Sequence, residues 1–246
     1  MTTGEWISLS SGIGAMSAAL VALFTLLELS RQRKSTYKPD LCVLKNRFNI
    51  KLGLVGKMSS LPFAIDWVPQ GLSQLETATW ATIHIVNVGF GVAKEVKAKW
   101  KFDSNTIIDE VNNLAQQTFQ TFFLVEKDSF LSIMSEGKGV YSANNKMDYF
   151  QFEYLLPIAN QPNGHDIFLP PSYVLLVSAY LSLCAKAKRS FSEIKVPAIE
   201  LELSYADIGK EKHNSKHKLE GNITVMTQPV DDESLAHFEV EYVEIA

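Results

Sequence analysis

The clearest pattern in the chain lies in residues 80–102, WATIHIVNVGFGVAKEVKAKWKF. Apolar and polar residues alternate on both sides of a short glycine-containing segment, and this period of two is typical of half-buried antiparallel strands. We therefore predict strands over 79–88 and 92–102, with a connection at Gly89 and Gly91. Glycine tolerates the positive φ that a tight connection needs. The stretch predicts a β domain.

The same alternation recurs further along the chain. PAIELELSY, HFEVEY and YFQFEYLL each place apolar side chains on one face and polar side chains on the other. Many short strands with few helices predict a mainly-β fold, an antiparallel two-sheet sandwich with one or two inserted helices. Further predicted strands cover 40–48, 50–56, 119–126 and 219–227. Polar turns are predicted at 228–233 and at His165–Asp166, and a solvated hairpin tip at 209–218.

Two segments have helical spacing of apolar residues. The first covers 105–116, with Ser104 or Asn105 as N-cap. The second covers 171–187, and its uncharged core of about 16 residues is short for a membrane span. We interpret the second segment as a buried helix or a mixture of helix and strand.

The N-terminal segment is a continuous uncharged run and lacks the alternation of the predicted strands. Trp6 to Leu27 contains no charged residue, and such a helix matches a hydrocarbon core of about 30 Å. A signal peptide would need a positive n-region and a small-residue cleavage site, whereas the chain carries Glu5 before the apolar run. We predict an uncleaved transmembrane helix over residues 1–30.

Basic residues lie only on the C-terminal flank of this helix. The positive-inside rule then places the N-terminus outside and residues 40–246 in the cytoplasm, with 31–39 as a basic linker. Low cysteine use, Cys42 and Cys184 only, fits a reducing compartment, and we predict two buried free thiols. The residues predicted to contact anionic headgroups are Arg31, Arg33, Lys34 and Lys38.

Small and polar residues recur on one side of the predicted helix. Small residues at four-residue spacing let helix backbones approach closely in lipid, and Glu28 adds an ionisable group. The pattern favours self-association, with or without a narrow wet path, while small residues also occur in solitary membrane helices. The predicted association face comprises Ser10, Ser11, Gly14, Ala15, Ser17, Ala18, Ala19, Ala22, Thr25 and Glu28.

Motifs for chemistry are missing from the sequence. It contains no phosphate-binding loop and no G-x-S-x-G elbow. His213 and His217 would stand about 13 Å apart in a strand, too far to share a metal ion. His84 is interpreted as a partly buried strand residue. We therefore predict no enzymatic activity, no cofactor and no metal, and the net charge of -4 argues against a general nucleic-acid binder.

A row of three lysines is a further candidate for a functional surface. Lys97, Lys99 and Lys101 share one face of the strand predicted at 92–102. They fit either a solvated edge strand protected by lysines or a face that binds an anionic partner, such as headgroups or a nucleotide-type ligand.

The layout resembles a broad set of uncharacterised bacterial single-pass membrane proteins. The residues that carry the resemblance are the N-terminal helix, RQRKSTYKPDL, NVGFGVAKEVKAKW and LELSYADIGK. The resemblance implies a cytoplasmic immunoglobulin-like β-sandwich, and similar layouts occur among membrane effectors of antiphage systems. It implies no catalytic residues, because fold alone does not fix function.

Two functional hypotheses follow. In the first, a bacterial inner-membrane effector binds a protein or nucleotide-type ligand through its cytosolic sandwich, and binding reorganises a homo-oligomer of the helices in the lipid bilayer. In the second, the helix is a static anchor for a protein-binding domain.

Overall fold

The computed structural model describes residues 2–52, 66–69, 81–127, 130–135, 138–144, 149–227 and 236–245. Within them the chain is mainly β, and an apolar N-terminal helix precedes the strands. The predicted fold class, an N-terminal helix followed by an antiparallel β-sandwich with one or two inserted helices, is confirmed.

The described helices are α1 (Thr3–Thr36), α2 (Ser104–Gln117), α3 (Pro171–Lys186) and a 3₁₀ turn at Phe191–Glu193. The strands of the first half are β1 (Leu41–Val43), β2 (Asn46–Leu52), β3 (Asp66–Pro69), β4 (Thr82–Asn87), β5 (Ala93–Lys101), β6 (Phe122–Lys127) and β7 (Phe130–Ser135). Those of the second half are β8 (Lys138–Asn144), β9 (Tyr149–Leu155), β10 (His165–Phe168), β11 (Val196–Ala206), β12 (Lys212–Thr227) and β13 (Ala236–Ile245).

The strands form three sheets. The largest has the order β3-β2-β13-β12-β11-β5-β9, and two smaller sheets have the orders β1-β4-β10 and β6-β7-β8. Every strand ladder that the structure describes is antiparallel. The sheet β1-β4-β10 packs on the β5–β9 end of the large sheet, where the Trp100 Nε1–H donates to the carbonyl oxygen of Phe168 at 2.9 Å.

Helix α3 fills the inside of the curled large sheet. From Ser172 to Ala185 every residue except the half-buried Val174 is buried, which explains why the sequence lacks a polar face. The Trp67 indole N–H donates to Ser178 Oγ at 2.9 Å, and the Tyr173 hydroxyl lies 3.0 Å from that of Tyr242. The prediction of a buried helix at 171–187 is confirmed.

Several local predictions need correction. The two strands predicted around Gly89 and Gly91 are present as β4 and β5, but they are shorter and belong to different sheets. The N-cap of α2 is Asp103, whose carboxylate accepts from the Thr106 N–H at 3.1 Å. His165–Asp166 begins β10, because the turn ends at Gly164 with φ 57°.

The predicted hairpin tip at 209–218 is also too long. Strand β12 begins at Lys212 and pairs with β11 over the whole stretch from 212 to 219, which leaves 207–211 as the turn. The polar turn predicted at 228–233 and parts of the strands predicted at 50–56 and 79–88 lie outside the described residues.

Helix α1 stands apart from the packed core. Its segment Ser11–Arg33 is 23 residues long, has a mean hydropathy of 1.9 and is 0% buried, so α1 is long and apolar enough to cross a membrane. The helix continues to Thr36, six residues beyond the predicted end at residue 30.

Candidate functional site: the junction of helix and domain

The segment Tyr37–Asp40, here called the strap, joins α1 to β1. Most of the stretch predicted as a linker, 31–39, is helical, because α1 includes Arg31 and Arg33 and ends at Thr36. The four residues of the strap can span at most about 14 Å. The end of the apolar helix therefore lies close to the β domain.

Asn87, at the end of β4, holds the strap. Its side-chain Oδ1 accepts the N–H groups of Asp40 at 3.1 Å and Gly89 at 3.0 Å. Its Nδ2 donates to the carbonyl oxygens of Gly91 at 2.6 Å and Leu155 at 3.2 Å. The side chain is 0% exposed, and all four of its hydrogen-bonding positions are used.

The loop 88–91 closes over the strap. The Val88 N–H donates to the Asp40 carbonyl oxygen at 2.8 Å. A methyl group on Gly89 would collide with the backbone of Lys38 and Asp40, and one on Gly91 would overlap the Tyr37 carbonyl oxygen. Neither glycine has a positive φ, so the predicted reason for these glycines is wrong. They allow a close approach of two backbones.

The large sheet supports the strap from a second side. Pro39 is buried, although both of its neighbours are exposed. The Tyr205 hydroxyl, near the end of β11, donates to the Pro39 carbonyl oxygen at 3.5 Å. The strap is thus bound to elements of both layers of the sandwich and is not a free tether.

On the other side of the junction, the predicted association face of α1 lies on a helix without described contacts to the domain core. The Ser17 hydroxyl donates to the Ile13 carbonyl oxygen at 2.9 Å, and the Thr25 hydroxyl to that of Val21 at 2.8 Å. These bonds satisfy the hydroxyl donors inside the helix. The association face stays a prediction.

The predicted headgroup-contacting residues occupy the C-terminal end of α1 and the strap. Arg31, Arg33 and Lys38 are exposed, and Lys34 lies in the last turns of the helix. Cations at this end also interact favourably with the helix dipole.

The lysine row is exposed as predicted, but β5 is not an edge strand. It lies between β11 and β9, so the interpretation as a protected edge is wrong. Lys101 Nζ lies 2.7 Å from Glu202 Oε1, and Lys216 Nζ of β12 lies 2.7 Å from the same oxygen. Hydrogen bonds from Lys101 and Lys216 lower the pKa of Glu202 to about 2. Binding of an anion by Lys97, Lys99 and Lys101 stays a prediction.

The histidines of β12 bind different acids. His213 Nε2 lies 3.2 Å from Asp207 Oδ2, while His217 Nδ1 lies 2.8 Å from Glu244 Oε1. His217 also contacts Ser215 Oγ at 2.9 Å and is buried. Among the described residues no group of three or more His, Cys, Asp or Glu side chains could hold a metal ion.

Three further residues named in the sequence analysis are His84, Cys42 and Cys184. His84 lies in β4, is partly exposed and faces Asp166 of β10. Cys42 and Cys184 are free; Cys184 is buried and Cys42 is half-buried. Burial raises the pKa of the Cys184 thiol to about 11 and also raises that of Cys42.

Sequence reasoning missed the role of Asn87, the central residue of the junction. One signal was present: the polar Asn87 follows the apolar pair Ile85 and Val86 and precedes two glycines that flank Phe90. Two of its four partners, Asp40 and Leu155, lie 47 and 68 positions away, so the local pattern could not identify them.

Comparisons with protein-family models, with curated proteins and with solved structures find no match for this chain.

Proposed function

We propose that this chain is a single-pass effector of a bacterial inner membrane. Helix α1 spans the bilayer with its N-terminus outside, and the cytoplasmic β domain binds a ligand or protein partner. Binding changes how the α1 helices of several copies assemble. The resemblance in layout favours antiphage defence as the setting.

The observation that carries this proposal is the bound strap. A simple tether works with a flexible, polar linker, whereas here Asn87, Gly91 and Tyr205 hold the residues that directly follow the helix. A displacement of the domain would therefore reach the end of α1 without being absorbed by a loose segment. Such coupling is what an effector needs.

The surface of α1 supports a membrane setting. Its apolar side chains are exposed along the helix, and Met16, Phe24 and Leu26 each expose about two-thirds of their surface. A contiguous apolar surface of this size needs lipid or another protein to cover it.

Disulfide crosslinking in membranes tests the assembly. We would compare Val21→Cys, which lies one helical turn from both Ser17 and Thr25 of the predicted association face, with Leu23→Cys on the opposite side of α1, both in a Cys42→Ala background. The effector proposal predicts that position 21 crosslinks several-fold faster than position 23, in a way that depends on the state of the domain. Equal rates, or no crosslinks in any state, would contradict it.

The static anchor is the second candidate, and one observation favours it. The hydroxyls of Ser17 and Thr25 are satisfied within α1, so the helix needs no partner for them. A short Gly-Ser insertion after Thr36 would distinguish a static anchor from an effector. An anchor would keep its activity in cells, whereas an effector would lose it while still reaching the membrane.

A further inference from the structure

Four exposed apolar side chains surround the strap at the end of the domain where α1 leaves. Phe90 is 75% exposed and Tyr37 59%, while Val88 and Ile158 are 46% and 40% exposed. We call these four residues the tip. Isolated exposed apolar residues are ordinary, but a cluster indicates a contact surface.

The structure holds the tip residues together. Val88 and Phe90 belong to the loop that closes over the strap, and the Ile158 N–H donates to the Asn87 carbonyl oxygen at 2.8 Å. Tyr37 is the first residue of the strap. The backbone segments that carry the four side chains therefore meet around Asn87.

The tip lies within reach of a bilayer that α1 crosses. The candidate membrane span of α1 ends at Arg33, so the end of α1 at Thr36 lies about 5 Å further along the axis. Headgroups occupy about 5–7 Å on each side of the core. Phe90 lies beside the strap, which begins directly after Thr36.

The charges near the tip differ between the domain and the helix end. The domain segments beside the tip carry Lys94 and Lys210 together with Glu95 and Glu211, whereas the helix end and the strap carry Arg31, Arg33, Lys34 and Lys38 with Asp40. Anionic headgroups would therefore attract the helix end, and burial of apolar area is the contribution of the tip itself.

We propose that the tip docks into the headgroup–acyl boundary of the membrane that α1 spans, with Phe90 as the main inserted side chain. This inference rests on the proposed function, because it needs α1 in the bilayer. Aromatic side chains are favoured at this boundary. Docking orients the β domain on the membrane, and a ligand or partner that lifts the tip would act directly on the end of α1.

The test uses the full chain in vesicles of phosphatidylethanolamine and phosphatidylglycerol. An environment-sensitive fluorophore is attached at Ile158→Cys in the Cys42→Ala background, since Cys184 is buried with a raised pKa. Lipids with a nitroxide near the headgroups serve as quenchers. Phe90→Glu is compared with Phe119→Glu, because Phe119 is 93% exposed at the end of α2.

We expect lipid quenching at position 158 in the parent protein and in Phe119→Glu. Phe90→Glu should lower the ratio of docked to undocked protein about tenfold or more. If Phe90→Glu lowers the unfolding midpoint, Phe90→Ser replaces it.

Two results would overturn the proposal: a parent label that lipid nitroxides do not quench, or equal effects of the two Glu variants. Protection of the label that depends on the protein-to-lipid ratio, without lipid quenching, would show that a second copy covers the tip and would also overturn it. Flotation after carbonate extraction reports separately whether α1 is in the bilayer. The crosslinks at position 21 test the effector function independently.

Discussion

Asn87 shows how one buried side chain can hold a helix to a domain. Replacing it by alanine removes two acceptor and two donor contacts, and each unpaired buried group costs about 1–3 kcal/mol. We expect Asn87→Ala to lower the free energy of unfolding by at least about 2 kcal/mol. Urea unfolding of the full chain in detergent measures this.

The matched control for that change is Asn214→Ala, because Asn214 is exposed on β12. Exposed substitutions away from special features usually stay within about 0.5 kcal/mol. Equal losses in the two variants would show that the hydrogen bonds of Asn87 do not hold the strap.

Gly91 is the residue at which the two backbones come closest. A Gly91→Ala methyl group would overlap the Tyr37 carbonyl oxygen, so the loop or the strap must move. Overpacking of this kind costs about 1–3 kcal/mol. We expect faster hydrogen exchange at Asp40 and Val88, measured by mass spectrometry.

Gly139→Ala is the control for Gly91→Ala, because its methyl group would meet only the Met134 sulfur at an ordinary distance of 3.8 Å. Exchange at the strap should be unchanged in this variant. Unchanged exchange in Gly91→Ala as well would mean that the strap tolerates the methyl group.

Glu202 gives the domain a pH dependence at acid pH. Its pKa is about 2 in the folded state, against 4.5 as the ordinary value, because Lys101 and Lys216 donate to its carboxylate. The folded state therefore binds a proton less readily than the unfolded state. The stabilisation from this carboxylate is fully present above about pH 4.5 and is lost as the pH falls towards about 2.

In Glu202→Gln the free energy of unfolding should decrease less steeply over that pH interval than in the parent protein. Thermal melts at successive pH values measure this. Glu220→Gln, the same chemical change on β12, should keep the slope of the parent protein. A parent slope retained in Glu202→Gln would contradict the assignment.

Among the secondary-structure elements, α3 forms the centre of the domain core. Leu176 is 0% exposed within it, whereas Phe119 at the end of α2 is 93% exposed. Large-to-small changes in a core cost about 2–5 kcal/mol, so Leu176→Ala should destabilise the protein by that amount. Phe119→Ala should change the free energy of unfolding by less than about 0.5 kcal/mol. A small effect of Leu176→Ala in urea unfolding would show that α3 is not core.

Elements with a clear period could be predicted from the sequence. Strand β11 alternates from Ile199 to Ala206 and β13 from Ala236 to Val243, and α2 places five buried residues at helical spacing. The first part of β12 was missed because its lysines and histidines resemble a loop, while pairing with β11 makes it a strand. The interior place of β5 was missed because strand order depends on contacts between residues distant in sequence.

The candidate site also has one part that the sequence predicts and one part that it does not. The apolar run of α1 and its basic flank can be recognised directly from the residue types in the sequence. The strap is different, because nothing in YKPD or NVGFG states that the two segments touch. Only the fold brings Asn87 to Asp40 and Tyr205 to Pro39.

For the molecule as a whole, the proposed orientation in the membrane depends on a few charges. Basic residues on one flank of a membrane helix favour the cytoplasmic side, and here they lie only after the apolar run. Moving the positive charge to the other flank should therefore turn the β domain outward. The reversing variant combines Thr2→Lys, Thr3→Lys, Arg31→Gln, Arg33→Gln, Lys34→Gln and Lys38→Gln.

Phe119→Cys in the Cys42→Ala background reports the side of the domain, because position 119 is highly exposed. In intact spheroplasts a membrane-impermeant maleimide should leave the parent protein unlabelled and should label the reversing variant. The matched control exchanges the same basic residues conservatively, Arg for Lys and Lys for Arg, and should stay unlabelled until the cells are lysed. Labelling of the parent in intact spheroplasts would place the β domain outside, and the coupling of a cytoplasmic domain to α1 would then be wrong.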